Sequence, residues 1–148
     1  MAFTGSYICT SFYTDLLNGV FNFGSDTFRG ALYTSSATLT AATTAYTATN
    51  ELPTAGAYTA GGAVTTVTVS VVSTTSGNVV IVDFSDIVWP AGSLTARGML
   101  VYDDTAVGNP AVMVIDFGSD ITVDPFTVQF PAANPGVAAL TFQSILPA

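Results

Sequence analysis

Apolar and polar residues alternate with a period of two over much of the chain after residue 26, a pattern typical of half-buried β-strands. Runs rich in Val, Thr, Phe and Tyr are separated by turn-forming Gly, Pro, Asn and Asp. The alternation predicts strands over Thr27 to Thr34, Ala63 to Ser73, Val79 to Phe84, Leu94 to Tyr102, Ala111 to Phe117, Phe126 to Phe130 and Val137 to Ile145. The composition favours the same structure, because Thr and Ser dominate the polar residues and suit a pleated surface better than a helix.

Two turns are predicted between these strands. Gly77 and Asn78 lie between two Val-rich runs and predict the turn of a β-hairpin. The segment from Asp86 to Trp89, followed by the turn-forming Pro90 to Ser93, is expected to close that hairpin unit.

One helix is predicted near the start, from Ser11 to Val20. Its apolar residues recur at helical spacing, at Phe12, Leu16, Leu17 and Val20. We expect Thr10 or Ser11 to cap it. A helix this short is marginal alone, so its apolar face is expected to dock on the sheet or on a neighbouring subunit.

A chain of 148 residues fits one domain with one core. The predicted fold class is all-β, a single-domain antiparallel β-sandwich of jelly-roll-like type with a short N-terminal helix. Residues 1–26 would form the N-terminal segment with the helix, and residues 27–148 the sandwich.

Residues 35–62 show neither strand nor helix periodicity and are rich in Ser, Thr, Ala, Gly and Tyr. A connection this long inside a compact domain is usually functional, so we predict a contact loop presented on the surface. Its candidate protein-contact residues are Tyr46, Asn50, Glu51 and Tyr58. Tyr is suited to contacts because it combines a large rigid area with a polar tip. The alternative is that Tyr46 and Tyr58 pack against their own sheet.

The charge composition excludes several function classes. Two Arg oppose ten Asp and Glu, there is no Lys or His, and the net charge is −8. Nucleic-acid binding is not expected, because two separated cations cannot neutralise a phosphate backbone. Without His or Lys, the chain has no imidazole general base, no His-containing metal site and no Schiff-base lysine. We predict no enzyme activity, no cofactor and no metal.

Carboxylates are the remaining candidates for chemistry, and they fall into three groups: Asp83 with Asp86, Asp103 with Asp104, and Asp116 with Asp120 and Asp124. A glycoside hydrolase would need two of them facing each other across a cleft. Because most of these residues flank strands, we expect them to cap turns. Calcium binding by Asp116, Ser119, Asp120 and Asp124 is a weaker alternative, since their spacing does not match an EF-hand.

The two arginines, Arg29 and Arg97, each lie in a predicted strand and are each followed by Gly. We expect them to form structural ion pairs, with Asp83 or Asp116 as candidate partners, or to bridge to an adjacent subunit.

The single cysteine, Cys9, allows no internal disulfide, and its apolar neighbours predict a small buried residue rather than a reactive thiol. The first residues lack a basic segment of the signal-peptide type. The uncharged stretches 52–82 and 125–148 are too rich in Thr, Ser, Gly and Pro to span a bilayer, so no membrane partner is expected.

Several segments resemble small virion-associated proteins of tailed bacteriophages. The resemblance covers roughly residues 27–130 and is carried by residues 27–39, 43–51, 58–62, 82–86 with Val88-Trp89, 95–98 with Val101-Tyr102, 109–112 and 116–120. It implies a bacteriophage virion structural protein, assembled in the host bacterial cytoplasm and located in the virion.

Within that family resemblance, we expect a head decoration (cement) protein, a homotrimer that bridges major capsid protein subunits. The contacts would involve the 35–62 loop and the N-terminal segment. A tail, collar or fibre-associated virion protein is the alternative. A third possibility, from another class, is a carboxylate-dependent glycan-binding or glycan-degrading module.

Overall fold

A computed structural model describes residues 3–75, 77–132, 134 and 140–143. Within these ranges the chain forms, in order, β1 (Tyr7–Ile8), α1 (Thr10–Leu17), β2 (Phe28–Tyr33), β3 (Ala63–Thr65), β4 (Val67–Thr74), β5 (Gly77–Phe84), β6 (Ile87–Trp89), β7 (Leu94–Asp103), β8 (Ala111–Val123), β9 (Phe126–Val128) and β10 (Leu140–Gln143). The all-β fold class with one short helix is confirmed.

The strands form three antiparallel sheets. The largest has five strands in the order β1-β8-β7-β2-β3, the second has three in the order β10-β5-β4, and β6 pairs with β9. The small sheets cover one side of the large sheet, as in a sandwich. The ring of Phe28 on β2 meets that of Phe84 on β5 edge to face, with centroids 6.0 Å apart.

Large side chains are buried on both faces of the five-stranded sheet. Those of less than 2% exposure include Phe12, Phe28, Leu32, Tyr33, Phe84, Met99, Leu100 and Tyr102. At the centre, a Cβ on Gly30 would lie 2.6 Å from Cδ1 of Ile87 and 2.7 Å from Sδ of Met99. The side chains of Ile87 and Met99 thus fill the space over Gly30, and a larger residue there would require both to shift.

The predicted strand over Ala63 to Ser73 is two strands in different sheets. β3 pairs with β2, while β4 pairs with β5. The chain changes sheets at Thr66, whose N–H donates to Oγ of Ser85 (2.9 Å) and whose carbonyl accepts from the Ser85 N–H (2.9 Å). Thr65 Oγ1 also donates to the Ser85 carbonyl (2.8 Å). Where the chain changes sheets, Ser85 therefore provides the hydrogen bonds that a neighbouring strand would otherwise provide.

The hairpin turn predicted at Gly77 and Asn78 needs correction. Gly77 pairs with Thr74 and Asn78 with Ser73, so both residues belong to β5 and not to the turn. Ile87–Trp89 forms a strand, β6, that pairs with β9, and the predicted turn residues Pro90 to Ser93 form the bend that connects it to β7. Trp89 is only 2% exposed, and burial of this side chain stabilises the strand despite its short length.

β8 is longer than predicted, and it crosses a bulge. Gly98 pairs with Asp116 and Ala96 with Ile121, so Arg97 alone faces the four residues 117–120. The predicted strand Val137 to Ile145 contains β10, and its remaining residues lie outside those described.

The helix ends earlier than predicted, at Leu17, and Cys9 rather than Thr10 or Ser11 occupies the N-cap position, without a side-chain cap. Of its predicted apolar face, Phe12 is buried, but Leu17 is 87% exposed and Val20 is 39% exposed. The helix docks through Phe12, whose ring centroid lies 5.0 Å from that of Phe21, and through the half-buried Leu16.

Candidate functional site

The 35–62 loop forms no regular strand but is attached to the large sheet along its length. Its Leu52 N–H donates to the Leu32 carbonyl of β2 (2.9 Å), and its Tyr46 N–H donates to the Asn109 carbonyl before β8 (2.9 Å). Its inner side is apolar and buried, at Ala37, Leu39, Leu52 and Tyr58. The loop is thus a folded layer over the sheet rather than a free connection.

Glu51 is the centre of a hydrogen-bond network within this layer. Its Oε1 accepts from the Tyr58 hydroxyl (2.7 Å) and from the Gly61 N–H (2.6 Å). Its Oε2 accepts from the Tyr46 hydroxyl (2.5 Å). Because all three donors come from different parts of the loop, one carboxylate fixes the positions of segments up to ten residues away.

Tyrosines connect this network to the large sheet. The Tyr58 hydroxyl accepts from the Leu32 N–H of β2 (2.9 Å). The Tyr102 hydroxyl of β7 donates to the Gly61 carbonyl (2.7 Å), and its ring stacks on Tyr46 with centroids 4.6 Å apart. The Glu51 network therefore comprises Glu51, Tyr46, Tyr58, Tyr102 and Gly61.

The protonation of these tyrosines favours the network. Burial raises the pKa of Tyr58 far above its ordinary value, and the hydrogen bond to Glu51 raises it further. Burial raises the pKa of Tyr102 to about 12. Both phenols therefore remain neutral at physiological pH and keep the protons that they donate.

The four predicted contact residues differ in their exposure to solvent. Tyr58 is 0% exposed, so its prediction as a contact residue is wrong, and the alternative of packing against its own sheet holds. Tyr46 and Glu51 are half-buried, and only Asn50 is exposed. Asn50 has φ 63° and donates from Nδ2 to the Ser36 carbonyl (3.0 Å). This hydrogen bond stabilises the turn that contains Asn50.

The sequence did not reveal two members of the Glu51 network, Gly61 and Tyr102, or the Leu32 N–H that joins the network to β2. The available signal was Glu51 itself, the single charged residue in the 35–62 loop, flanked by two tyrosines. A lone carboxylate in an uncharged segment needs donors if it is to be buried.

The outward surface of the loop carries small uncharged groups. The exposed residues are Ser35, Ser36, Thr38, Ala42, Thr44, Ala48, Thr49, Asn50, Pro53, Thr54, Ala55, Gly56, Thr59 and Ala60. Hydroxyls, methyl groups and backbone amides can bind another protein by shape and hydrogen bonding. They offer no charge for steering and no acid or base for catalysis.

The two arginines form intrachain ion pairs. Arg97 Nε lies 2.9 Å from Asp116 Oδ1, as one of the predicted pairings required. Hydrogen bonding from Arg97 lowers the pKa of Asp116. Arg29 pairs instead with Asp104, at 2.7 Å, so the pairings proposed for Arg29 are wrong. β2 and β7 are neighbours, and Asp104 directly follows β7, whereas Asp83 lies in a different sheet.

Several aspartates cap turns, as predicted. Asp103 Oδ1 accepts from the N–H groups of Thr105 (2.7 Å) and Ala106 (3.1 Å). Asp86 Oδ1 accepts instead from the N–H of Phe130 (2.9 Å), 44 residues away, so Asp86 connects distant segments and does not cap a turn. Asp116 Oδ1 accepts from the Gly118 N–H (2.8 Å), which shapes the bulge in β8.

In the part of the chain that the structure describes, no three His, Cys, Asp or Glu side chains converge as a metal site would require. In the same part, no helix is long and apolar enough to cross a membrane.

Comparison with known proteins found no matching family model, no matching curated protein and no matching solved structure.

Proposed function

We propose that this chain is a virion structural protein, a head decoration protein that binds an assembled capsid through the outer surface of its 35–62 loop. In this role many copies bind to each particle. The resemblance implies that the copies have a jelly-roll-like fold and assemble as homotrimers. It stabilises the shell by mass action, because a protein that binds only the assembled state adds its binding free energy to that state.

The observation that carries the proposal is the fixation of the 35–62 loop by Glu51. An irregular loop would lose conformational entropy on binding, which weakens association. Here the carboxylate of Glu51 holds Tyr46, Tyr58 and Gly61 before any partner arrives. The exposed hydroxyl and methyl groups are therefore already in place for a protein partner.

The charge distribution supports a protein partner. Both arginines are engaged by Asp104 and Asp116, and the net charge is −8. Such a surface repels packaged DNA, while the uncharged outer face of the loop allows close approach of another protein.

Imaging of purified particles tests the location. Antibody labelling or cryo-electron microscopy should place copies over the whole head surface. Copies confined to a tail, collar or fibre would overturn the decoration role and support the alternative location. Particles lacking the protein should also release DNA at a lower temperature than complete ones.

Substitutions on the loop test the binding surface. Thr59→Lys introduces a long cation at an exposed position of the loop and should weaken binding to particles that lack the protein. The control is Thr127→Lys, an exposed position on β9 away from the loop. Equal binding by both variants, with both folded, would show that the loop is not the contact surface.

A further inference from the structure

β4 is a long strand that, among the described strands, has a neighbour on one side only. Its eight residues pair with β5 on one side, and among the described strands it is the terminal strand of its sheet. The edge strands of the five-stranded sheet, β1 and β3, have only two and three residues. Short edges offer few free N–H and C=O groups, so β4 provides the longest open edge among the described strands.

This edge lacks the features that usually prevent pairing with another chain. The sequence of β4 is VTVSVVST, without charge and without proline. Its ladder with β5 runs without a register shift from Val67 opposite Phe84 to Thr74 opposite Gly77. An edge that is long, regular and uncharged is a template for strand addition.

The strand also exposes apolar side chains on one face. Val69 is 49% exposed and Val71 is 65% exposed. Val69 lies opposite Val82 and Val71 opposite Val80, so both share the face of Val82, which is buried in the core. The apolar face of this sheet therefore continues past the core to the open edge.

We propose that β4 pairs with β4 of a second copy, antiparallel, about a two-fold axis at Ser70. The axis is perpendicular to the sheet, so the two three-stranded sheets join into one and the apolar faces become continuous. A two-fold contact is closed, since each β4 edge is satisfied by the other.

The register follows from the exposed valines. A two-fold axis perpendicular to the sheet keeps each side chain on the same face. Since side chains alternate between the faces along a strand, two residues can lie opposite each other only if their numbers are both odd or both even. Pairing about Ser70 places Val69 of each copy opposite Val71 of the other, so both exposed valines gain an apolar partner. Pairing about Val71 would leave Val69 opposite Ser73.

A second copy meets no charge repulsion at this edge. Both arginines are paired within the chain and the net charge is −8, so contact between two copies is favoured where carboxylates are distant. The nearest acid in the sheet is Asp83 of β5, opposite Thr68. In the paired sheet the two Asp83 residues are separated by three strand spacings, about 14 Å, which exceeds the screening length of about 8 Å at physiological salt.

This inference does not rest on the proposed function. The two-fold contact at β4 is separate from the 35–62 loop and from any three-fold contact within a trimer.

Disulfide crosslinking tests the register directly. Ser70→Cys should form a covalent dimer on mild oxidation, because residues that face each other on antiparallel strands bring their Cβ atoms within about 5 Å. The native Cys9 is buried and does not interfere. Val88→Cys, at a site 50% exposed on β6, is the control and should remain monomeric on the denaturing gel.

Light scattering after size-exclusion chromatography tests the contact without crosslinking. Val71→Lys should lower the self-association constant by about tenfold or more, since a charge must be desolvated in the ladder. Val64→Lys, at a site 53% exposed on β3, should not change it. Circular dichroism confirms that both variants fold. An unchanged mass distribution for Val71→Lys, or no preference of Ser70→Cys over the control in crosslinking, would overturn the proposal.

Discussion

The carboxyl group of Asp103, at the buried end of β7, lies close enough to that of Asp26 for the charge of Asp26 to raise the pKa of Asp103. Asp103 is 0% exposed, and its Oδ2 has no donor within the described ranges. Asp26 accepts from the Asn22 N–H (2.6 Å) and is followed by β2. Nearby carboxylates repel each other, so the neighbouring charge of Asp26, like burial, disfavours the charged form of Asp103.

We expect Asp103→Asn to stabilise the protein at pH 8. Burial raises the pKa of Asp103 above its unfolded value of 3.8, and Asp26 raises it further. The protonated Asp103 therefore contributes fully to the free energy of unfolding below pH 3.8, and this contribution is lost as the pH rises through the pKa of the folded state. The amide removes this loss, keeps the acceptor for Thr105, and should raise the free energy of unfolding at pH 8 by about 1 to 3 kcal/mol.

Urea denaturation of the wild type and Asp103→Asn at pH 4 and pH 8 measures this effect. The stability difference should be larger at pH 8 than at pH 4. Asp103→Ala is the control: it leaves the N–H groups of Thr105 and Ala106 without their acceptor and should destabilise the protein at both pH values. A variant Asp103→Asn less stable than the wild type at pH 8 would contradict the interpretation.

Glu51→Ala should loosen the whole 35–62 loop. It removes the acceptor for Tyr46, Tyr58 and the Gly61 N–H, and we expect a loss of about 3 kcal/mol or more in the free energy of unfolding. Glu51→Gln retains one acceptor oxygen and should lose less. Hydrogen exchange should show the Gly61 amide losing protection in the alanine variant, and full protection there would disprove the role assigned to Glu51.

Gly62 and Gly61 form a matched pair for substitution by alanine. Both have positive φ, at 76° and 96°, but a Cβ on Gly62 would lie 2.0 Å from the Gly30 carbonyl oxygen, whereas one on Gly61 would meet only the Tyr102 hydroxyl at 3.7 Å. Gly62→Ala combines backbone strain with a clash and should cost about 2 to 5 kcal/mol. Gly61→Ala should cost about 1 to 2 kcal/mol, from strain alone. Equal thermal destabilisation of the two variants would argue against the clash.

Cys9 should be unreactive in the native protein. Its side chain is 0% exposed, and burial raises the pKa of the thiol to about 11, so the nucleophilic thiolate is scarce at pH 8. A colorimetric thiol reagent should label Cys9 only at the rate at which the protein opens, and immediately in urea. Rapid stoichiometric labelling without denaturant would refute this expectation.

Much of the strand pattern can be predicted from the sequence because it depends on local alternation. β2 and β7 follow the predicted ranges closely, since each runs through a single sheet. The change of sheet at Thr66 could not be predicted, because the alternation continues through it and the partner that permits it, Ser85, lies 19 residues away. β6 was missed because three residues are too few to establish a period.

In the candidate site, too, features set by the local sequence could be predicted, and features set by distant residues could not. The lack of strand and helix periodicity predicted an irregular 35–62 segment, and the pairing of Arg97 with Asp116 was among the predicted pairs. The burial of Tyr58 could not be inferred locally, because its hydroxyl is satisfied by Glu51 and by the Leu32 N–H of a distant strand. The partner of Arg29 depends on which strand adjoins β2, which is a property of the topology.

The pairing of β1 with β8 has a kinetic consequence. Tyr7 lies opposite Val114, and the Asp116 N–H donates to Ser6 Oγ across 110 residues of sequence. β1 therefore cannot join the sheet until β8 has been synthesised. Until then, residues 6–8 stay without their partner strand while the residues up to β8 emerge from the ribosome. Domains dominated by such distant pairings fold in about milliseconds to seconds, so we expect this protein to fold slowly for its size.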